Sequence, residues 1–336
     1  MTAVLLACAA QVVYIVAFVV FKTATRAMSP LTGRRPLAVM TQALSSGRWL
    51  LGLLLLVTGF AMGDIALLSL PLAAALPAYG FGLILVLLVG HLSFGERFAG
   101  REWLGMLLTV AAMASAAASV AVKTAPRFAV NLPTREDALA APDALPWWTL
   151  AAVVVPSLAI PLWMFTVRDR AREGRHARRL TGIAYGVGAG VLLGTAEVFG
   201  LGTALTLADG RLDVHLTPHP YLFLLAGVFG LTLLSIGLQR CRLSLFVTVL
   251  TLTAKLHLLL SATLIFGEPW PQDRPLFMLR VGAVALAMLA VLTFPKHERR
   301  RTRPTPTPPH RYRYTPPMPT APSWAPAPRS QHTGVL

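Results

Sequence analysis

Charge is scarce in this chain. Of 336 residues only 13% are Asp, Glu, Lys or Arg, and the acidic ones number 14 against 30 basic. Cysteine is scarcer still: Cys8 and Cys241 cannot define a disulfide framework. There is no Cys and His spacing of the zinc type, no Gly-rich phosphate loop closed by a lysine, and no Gly-x-Ser-x-Gly nucleophile motif. An enzyme is therefore not expected, nor a cofactor, nor the nucleotide domain of an ATP-driven pump.

What is present is hydrophobicity, and its arrangement decides the class. Apolar residues make up 55% of the chain and mean hydropathy is +0.63. They recur as runs of about 20 residues, each able to cross about 30 Å of hydrocarbon. Nine spans are predicted, at 3–21, 49–68, 72–93, 103–122, 147–167, 182–206, 220–238, 243–266 and 277–295. The fold class expected is all-α, a polytopic transmembrane bundle. The first run lacks a basic leader and is followed by further spans, so it reads as a retained helix. Trp49 and the pair Trp147 and Trp148 open spans at positions suited to the headgroup level. The stretch 36–47 is too short to span and suits an interfacial or re-entrant segment.

The loops orient the bundle. With the N-terminus outside, the cytoplasmic segments hold 23 of the 30 Lys and Arg residues and the outer ones five, Lys123, Arg127, Arg135, Arg211 and Arg274. Lys255 and Arg280 fall within spans. That asymmetry favours an odd number of spans, N-out and C-in, in the cell membrane. The net charge of +16 then points to anionic inner-leaflet lipids and not to nucleic acid. The expected organisation is a first transmembrane repeat over 1–123, an extracytoplasmic loop over 124–146, helix five with a second repeat over 147–295, and a tail over 296–336. The tail carries ten prolines from Pro304 to Pro328 and a basic start at Lys296, and is expected to be disordered.

The repeats rest on a duplication. Phe94-Gly95-Glu96 recurs as Phe266-Gly267-Glu268, each time after a long apolar run and before a helix with an early glycine, Gly105 or Gly282. Five spans separate the triplets, so corresponding parts would face opposite sides. Such inverted repeats let a central cavity open alternately to either side. Within the sixth span Gly182, Gly186, Gly190 and Gly194 recur every four residues and leave one face bare for a neighbouring helix.

Ionisable groups inside hydrocarbon cost several kcal/mol unless paired or hydrated, which singles out three residues. Glu197 and Lys255 lie mid-span with opposite sign and similar depth, a candidate pair that can serve either as a structural bridge or as a site for substrate or proton. Asp64 lies near the outer end of its span, where headgroup water and a cavity are both open to it. Further polar residues able to line a cavity are Gln11, Tyr14, Tyr185, Thr195, Thr251, Thr253 and Gln239.

Trp49, Ala66-Leu67 with Pro71 and Pro77, Gly95-Glu96 and Gly105 together resemble the pattern of the drug/metabolite transporter superfamily. The second half repeats it from Gln239 to Leu245, then at Gly267-Glu268 and Gly282, with Phe246 where that family has proline. A weaker resemblance, carried by Phe21-Lys22, the basic loop, Trp49 and Met62-Gly63-Asp64, is to NIPA-type magnesium transporters. There Asp64 replaces a glutamate, and Ala66-Leu67 stands where that family has Asn-Phe. The resemblance implies an alternating-access transporter, with Asp64 as the metal ligand if the cargo is a cation. Mg²⁺ prefers several oxygen ligands, however, and a carboxylate beside a lysine better suits a zwitterionic or organic anionic solute. The expected function is thus secondary transport of a small organic solute, by proton coupling or exchange. Divalent-cation transport and a non-transporting interaction protein stand beside it. Protons and a second copy of the chain are the candidate further partners.

Overall fold

The computed structural model describes residues 2–31, 36–68, 70, 72–121, 147–163, 182–208, 213–265 and 270–294. The expected outer loop, the tail, Gly267 and Glu268 lie outside these residues, as does the expected end of the fifth span beyond Trp163.

The described residues fold into ten α-helices and one 3-10 turn, with no strand. They are α1 (Thr2–Ala27), α2 (Pro36–Leu44), α3 (Gly47–Leu67), α4 (Leu72–Phe94), α5 (Gly100–Ala121), α6 (Trp147–Trp163), α7 (Gly182–Ala208), α8 (His219–Arg240), α9 (Leu243–Ile265) and α10 (Arg274–Thr293). All except α2 and α6 are long and apolar enough to cross a membrane, eight helices in all. The protein is a polytopic α-helical membrane protein. Its fifth expected span is α6, 17 residues long. The segment read as interfacial or re-entrant is α2, nine residues that pack on α3 and α8 and bury Val39 and Ala43.

Local chemistry sets the helix ends. Ser46 opens α3 by accepting the Trp49 amide at 3.4 Å. Gly95 closes α4 in a left-handed conformation, φ 62°, that a side chain would strain. The turn brings the Glu96 amide to the Gly90 carbonyl at 3.0 Å.

Packing follows two themes. Each end of the sequence forms its own close set, α1 on α3 and α4, and α7 on α8 and α9. Across the middle, α4 meets α9, α5 meets α10, α1 meets α8 and α3 meets α7. Glycines permit the close crossings. A Cβ at Gly105 would lie 2.9 Å from the Phe294 ring, where α5 meets the end of α10.

Trp49 departs from the headgroup role expected of it. It is fully buried, edge-on to Phe21 at 5.4 Å, and its indole N–H donates to Ser235 Oγ at 3.1 Å. An aromatic at a helix start can anchor in lipid or fill a gap between helices. Here α8 supplies both the gap and the acceptor. Trp148, by contrast, is exposed on the surface of α6.

Candidate functional site

A buried polar cluster forms where α1, α3, α4, α7 and α9 meet, and the bare face of α7 makes room for it. A Cβ placed at Gly186 would lie 2.9 Å from Val249 Cγ1, one at Gly190 2.6 Å from the Leu250 carbonyl oxygen, and one at Gly194 2.8 Å from the Ala254 carbonyl oxygen. With hydrogen in place of these side chains, α9 lies backbone against backbone on α7. One turn beyond Gly194, Glu197 thereby comes within reach of Lys255.

The Lys255 ammonium donates to Glu197 Oε1, and both residues are buried. The same ammonium lies 3.9 Å from the centre of the Tyr79 ring on α4, a cation–π contact strengthened by the absence of water. Tyr14 on α1 packs flat on Gly59, edge-on to Phe60 at 5.5 Å, and interacts electrostatically with Glu197, Tyr79 and Asp64. Asp64 on α3 is partly buried, and its Oδ1 is sealed from solvent with no hydrogen-bond partner among the described residues. It interacts electrostatically with both Glu197 and Lys255. Lys255 also borders a small cleft of about 30 Å³ between α4, α5, α9 and α10, whose other walls are apolar, among them Leu76, Met113, Ala116, Leu256 and Ala287. Glu197 and Asp64 do not line it. Lys255 thus separates a polar compartment from an apolar one.

The remaining sequence candidates divide. Gln11 is buried against Gly82 of α4, and Thr251 is partly buried on α9 one turn before Lys255. Thr253 turns toward Gly190, its Oγ1 sealed and without a partner among the described residues. Thr195 belongs to a separate group in which Nε2 of His257 contacts Thr195 Oγ1 at 3.0 Å and the Ser157 and Ser261 hydroxyls at 3.3 Å each. Thr195 and Ser157 spend their own protons on the Val191 and Val153 carbonyls, so the Nε2–H is the donor to them and the ring ties α6 to α7 and α9. Gly182 stands at the first position of α7.

Tyr185 and Gln239 sit elsewhere than expected, in a latch at one end of the bundle. Gln239 donates to the Thr25, Met28 and Ser29 carbonyls and accepts the Leu31 amide at 2.7 Å. Arg240 donates to the Tyr185 hydroxyl at 2.9 Å and to the Leu31 carbonyl. Buried Lys22 donates to the Leu238 and Cys241 carbonyls at 2.5 Å each, serving the exposed carbonyls at the end of α8. Glu96 accepts the Leu243 amide at 2.6 Å, the Ser244 amide at 3.0 Å and the Ser244 hydroxyl, serving the start of α9. Arg242 pairs with Glu102. Cation and carboxylate each sit at the helix end whose dipole favours them. The Gly95-Glu96 motif thus has a physical content: the glycine ends one helix and the acid caps another. Replacing Glu96 with alanine strands two buried amides and is expected to destabilise the fold by about 1–3 kcal/mol. Thermal unfolding in detergent checks this, with Arg101→Ala as an exposed control.

Sequence reasoning missed Tyr79, His257 with its hydroxyl partners, and Lys22 as a clamp. Tyr79 carried a signal, a polar aromatic deep in a predicted span two residues after Pro77.

No protein-family model, no curated protein and no solved structure matches this chain.

Proposed function

We propose that the protein is a secondary transporter that moves a small organic solute across the cell membrane by alternating access. The observation that carries this reading is the buried Glu197–Lys255 pair beneath Tyr79 and beside Asp64. Ionisable residues inside membrane spans are rare and commonly mark substrate or ion pathways. The cleft, about 30 Å³, is far smaller than the about 300–1,000 Å³ typical of ligand pockets, so on this reading the space for solute opens in another state of the cycle.

The helix contacts support an organisation in two related halves. α1, α3, α4 and α5 correspond in order to α7, α8, α9 and α10, and the cross-contacts are reciprocal: α4 with its counterpart α9, α5 with α10, and α1 with α8 as α3 with α7. Five helices lie between the first Gly-Glu turn and the end of α9, and with α6 crossing beside the four long ones the halves take opposite orientation. A drug/metabolite transporter-like architecture is the reading that accommodates these features together with the Gly95-Glu96 turn. The latch end, with Lys22, Arg26, Arg48, Arg97, Arg101, Arg240 and Arg242, is taken as cytoplasmic, and the bundle as shut there. A divalent-cation carrier fits less well, because Glu197 is committed to Lys255 and a hard ion wants several free oxygen ligands.

The test is uptake into proteoliposomes of pooled labelled amino acids, polyamines and organic acids, with Mg²⁺ alongside, in the presence and absence of a pH gradient. Wild type is expected to accumulate one organic class, and Glu197→Gln to lose that uptake while inserting normally. Mg²⁺ uptake alone transfers the function to a cation carrier. No uptake of any class by inserted wild type favours the non-transporting reading.

A further inference from the structure

The charges that meet inside the bundle do not cancel. Glu197 and Asp64 are both carboxylic acids, and among the described residues Lys255 is the base that interacts with both. Around Asp64, α1 presents Tyr14, α4 presents Tyr79, α7 presents Glu197 and α9 presents Lys255. From α8, Phe223 reaches the same face of Gly200 and brings no charge.

The single base is already engaged, through its donation to Glu197 and its seat over the Tyr79 ring. Among the described residues Asp64 Oδ1 has no donor, although it is sealed from solvent. Gly200 packs close to the carboxyl: a Cβ there would stand 3.4 Å from Asp64 Oδ2, in ordinary contact. Asp64 also lies in the last turn of α3, whereas Glu197 and Lys255 lie mid-helix. A ligand entering from that end of the bundle reaches Asp64 before the pair.

A second ionised carboxylate with one oxygen sealed from water, and with no base of its own among the described residues, calls for one further positive charge. We infer that Asp64 is a binding position for a single positive charge, brought as a proton or as the ammonium group of an amine-bearing solute. One such charge neutralises the cluster, and a divalent ion overshoots it. The inference rests on the transport reading and deepens it: the bundle exchanges conformations with the cluster neutral, and Asp64 is where neutrality is reached.

Full-length protein in weakly buffered detergent tests this, wild type beside Asp64→Asn. As pH falls from about 9 to 5, the variant is expected to take up about one proton fewer per chain. Ethylamine is then added at fixed pH, with sodium acetate as control. Proton release from wild type but not from the variant means that an ammonium takes the proton's place. Ethylamine binding by calorimetry without release, absent from the variant, assigns the ammonium alone. A missing proton with no ethylamine response assigns the proton alone. Identical titrations with identical ethylamine behaviour overturn the inference. Infrared spectra of wild type carrying isotope-labelled aspartate carboxyls decide the matter if the variant folds poorly. A protonated aspartic acid, or an ethylamine-sensitive aspartate, is expected, and neither signal overturns the inference. If it fails while solute uptake persists, transport stands without Asp64. If Asp64 titrates in a protein that moves no solute, the site stands and the transport reading falls.

Discussion

Lys255→Met is expected to cost about 3–5 kcal/mol of stability, because it leaves the Glu197 carboxylate buried and unpaired. Thermal unfolding of purified protein in detergent should show a large fall in Tm. Glu197→Gln combined with Lys255→Met should recover much of the loss, since it leaves no buried charge unpaired and a buried amide costs less than a buried carboxylate. Recovered stability without recovered uptake would assign the pair a role in transport beyond holding α7 to α9. Recovered uptake as well would reduce it to a bridge. A single variant as stable as wild type would mean that the ammonium does not neutralise Glu197 at all.

The second large effect is expected at Gly190. A Cβ there would stand 2.6 Å from the Leu250 carbonyl oxygen and 2.9 Å from Thr253 Cβ, and neither helix backbone can give way locally. Gly190→Ala should push α7 from α9 along the whole seam and separate Glu197 from Lys255. The expected outcome is loss of monodisperse protein on size exclusion and of any uptake. Gly227 on α8 is the control. Nothing lies within 4 Å of a Cβ there, so Gly227→Ala should leave stability unchanged or raise it slightly, as alanine favours the helix. Equal damage at both positions would show that α7 and α9 are not in backbone contact.

How legible these features are in the sequence depends on whether they are local. Hydrocarbon thickness dictates run length, so the long helices can be read directly, even to the brevity of α2. Ends are less readable: the first span, expected to stop at 21, continues to Ala27 because Lys22 finds carbonyls on α8 and Arg26 lies 4.8 Å from the Phe94 ring centre. Those partners belong to other helices. Glu197 and Lys255 stand out as charges of opposite sign at equal depth, and the glycines spaced by four on α7 announce a close neighbour without naming α9. Tyr185 and Gln239 resemble cavity polar groups by composition, yet each sits within a turn of its helix end, where backbone carbonyls and Arg240 claim them. The cap that Glu96 gives to α9 joins residues 147 apart, and no local pattern foretells it.

That separation has a consequence for how the protein is made. Lys22 enters the bilayer edge with the first helix, but its acceptors at Leu238 and Cys241 lie 216 and 219 residues later. Glu96 likewise waits for Leu243 and Ser244. Throughout synthesis of the intervening helices a cation and an acid stand at the membrane boundary without their final partners. They are satisfied together when the α8–α9 hairpin arrives. A chain arrested before that hairpin would display both, a chemical mark by which unfinished molecules differ from finished ones.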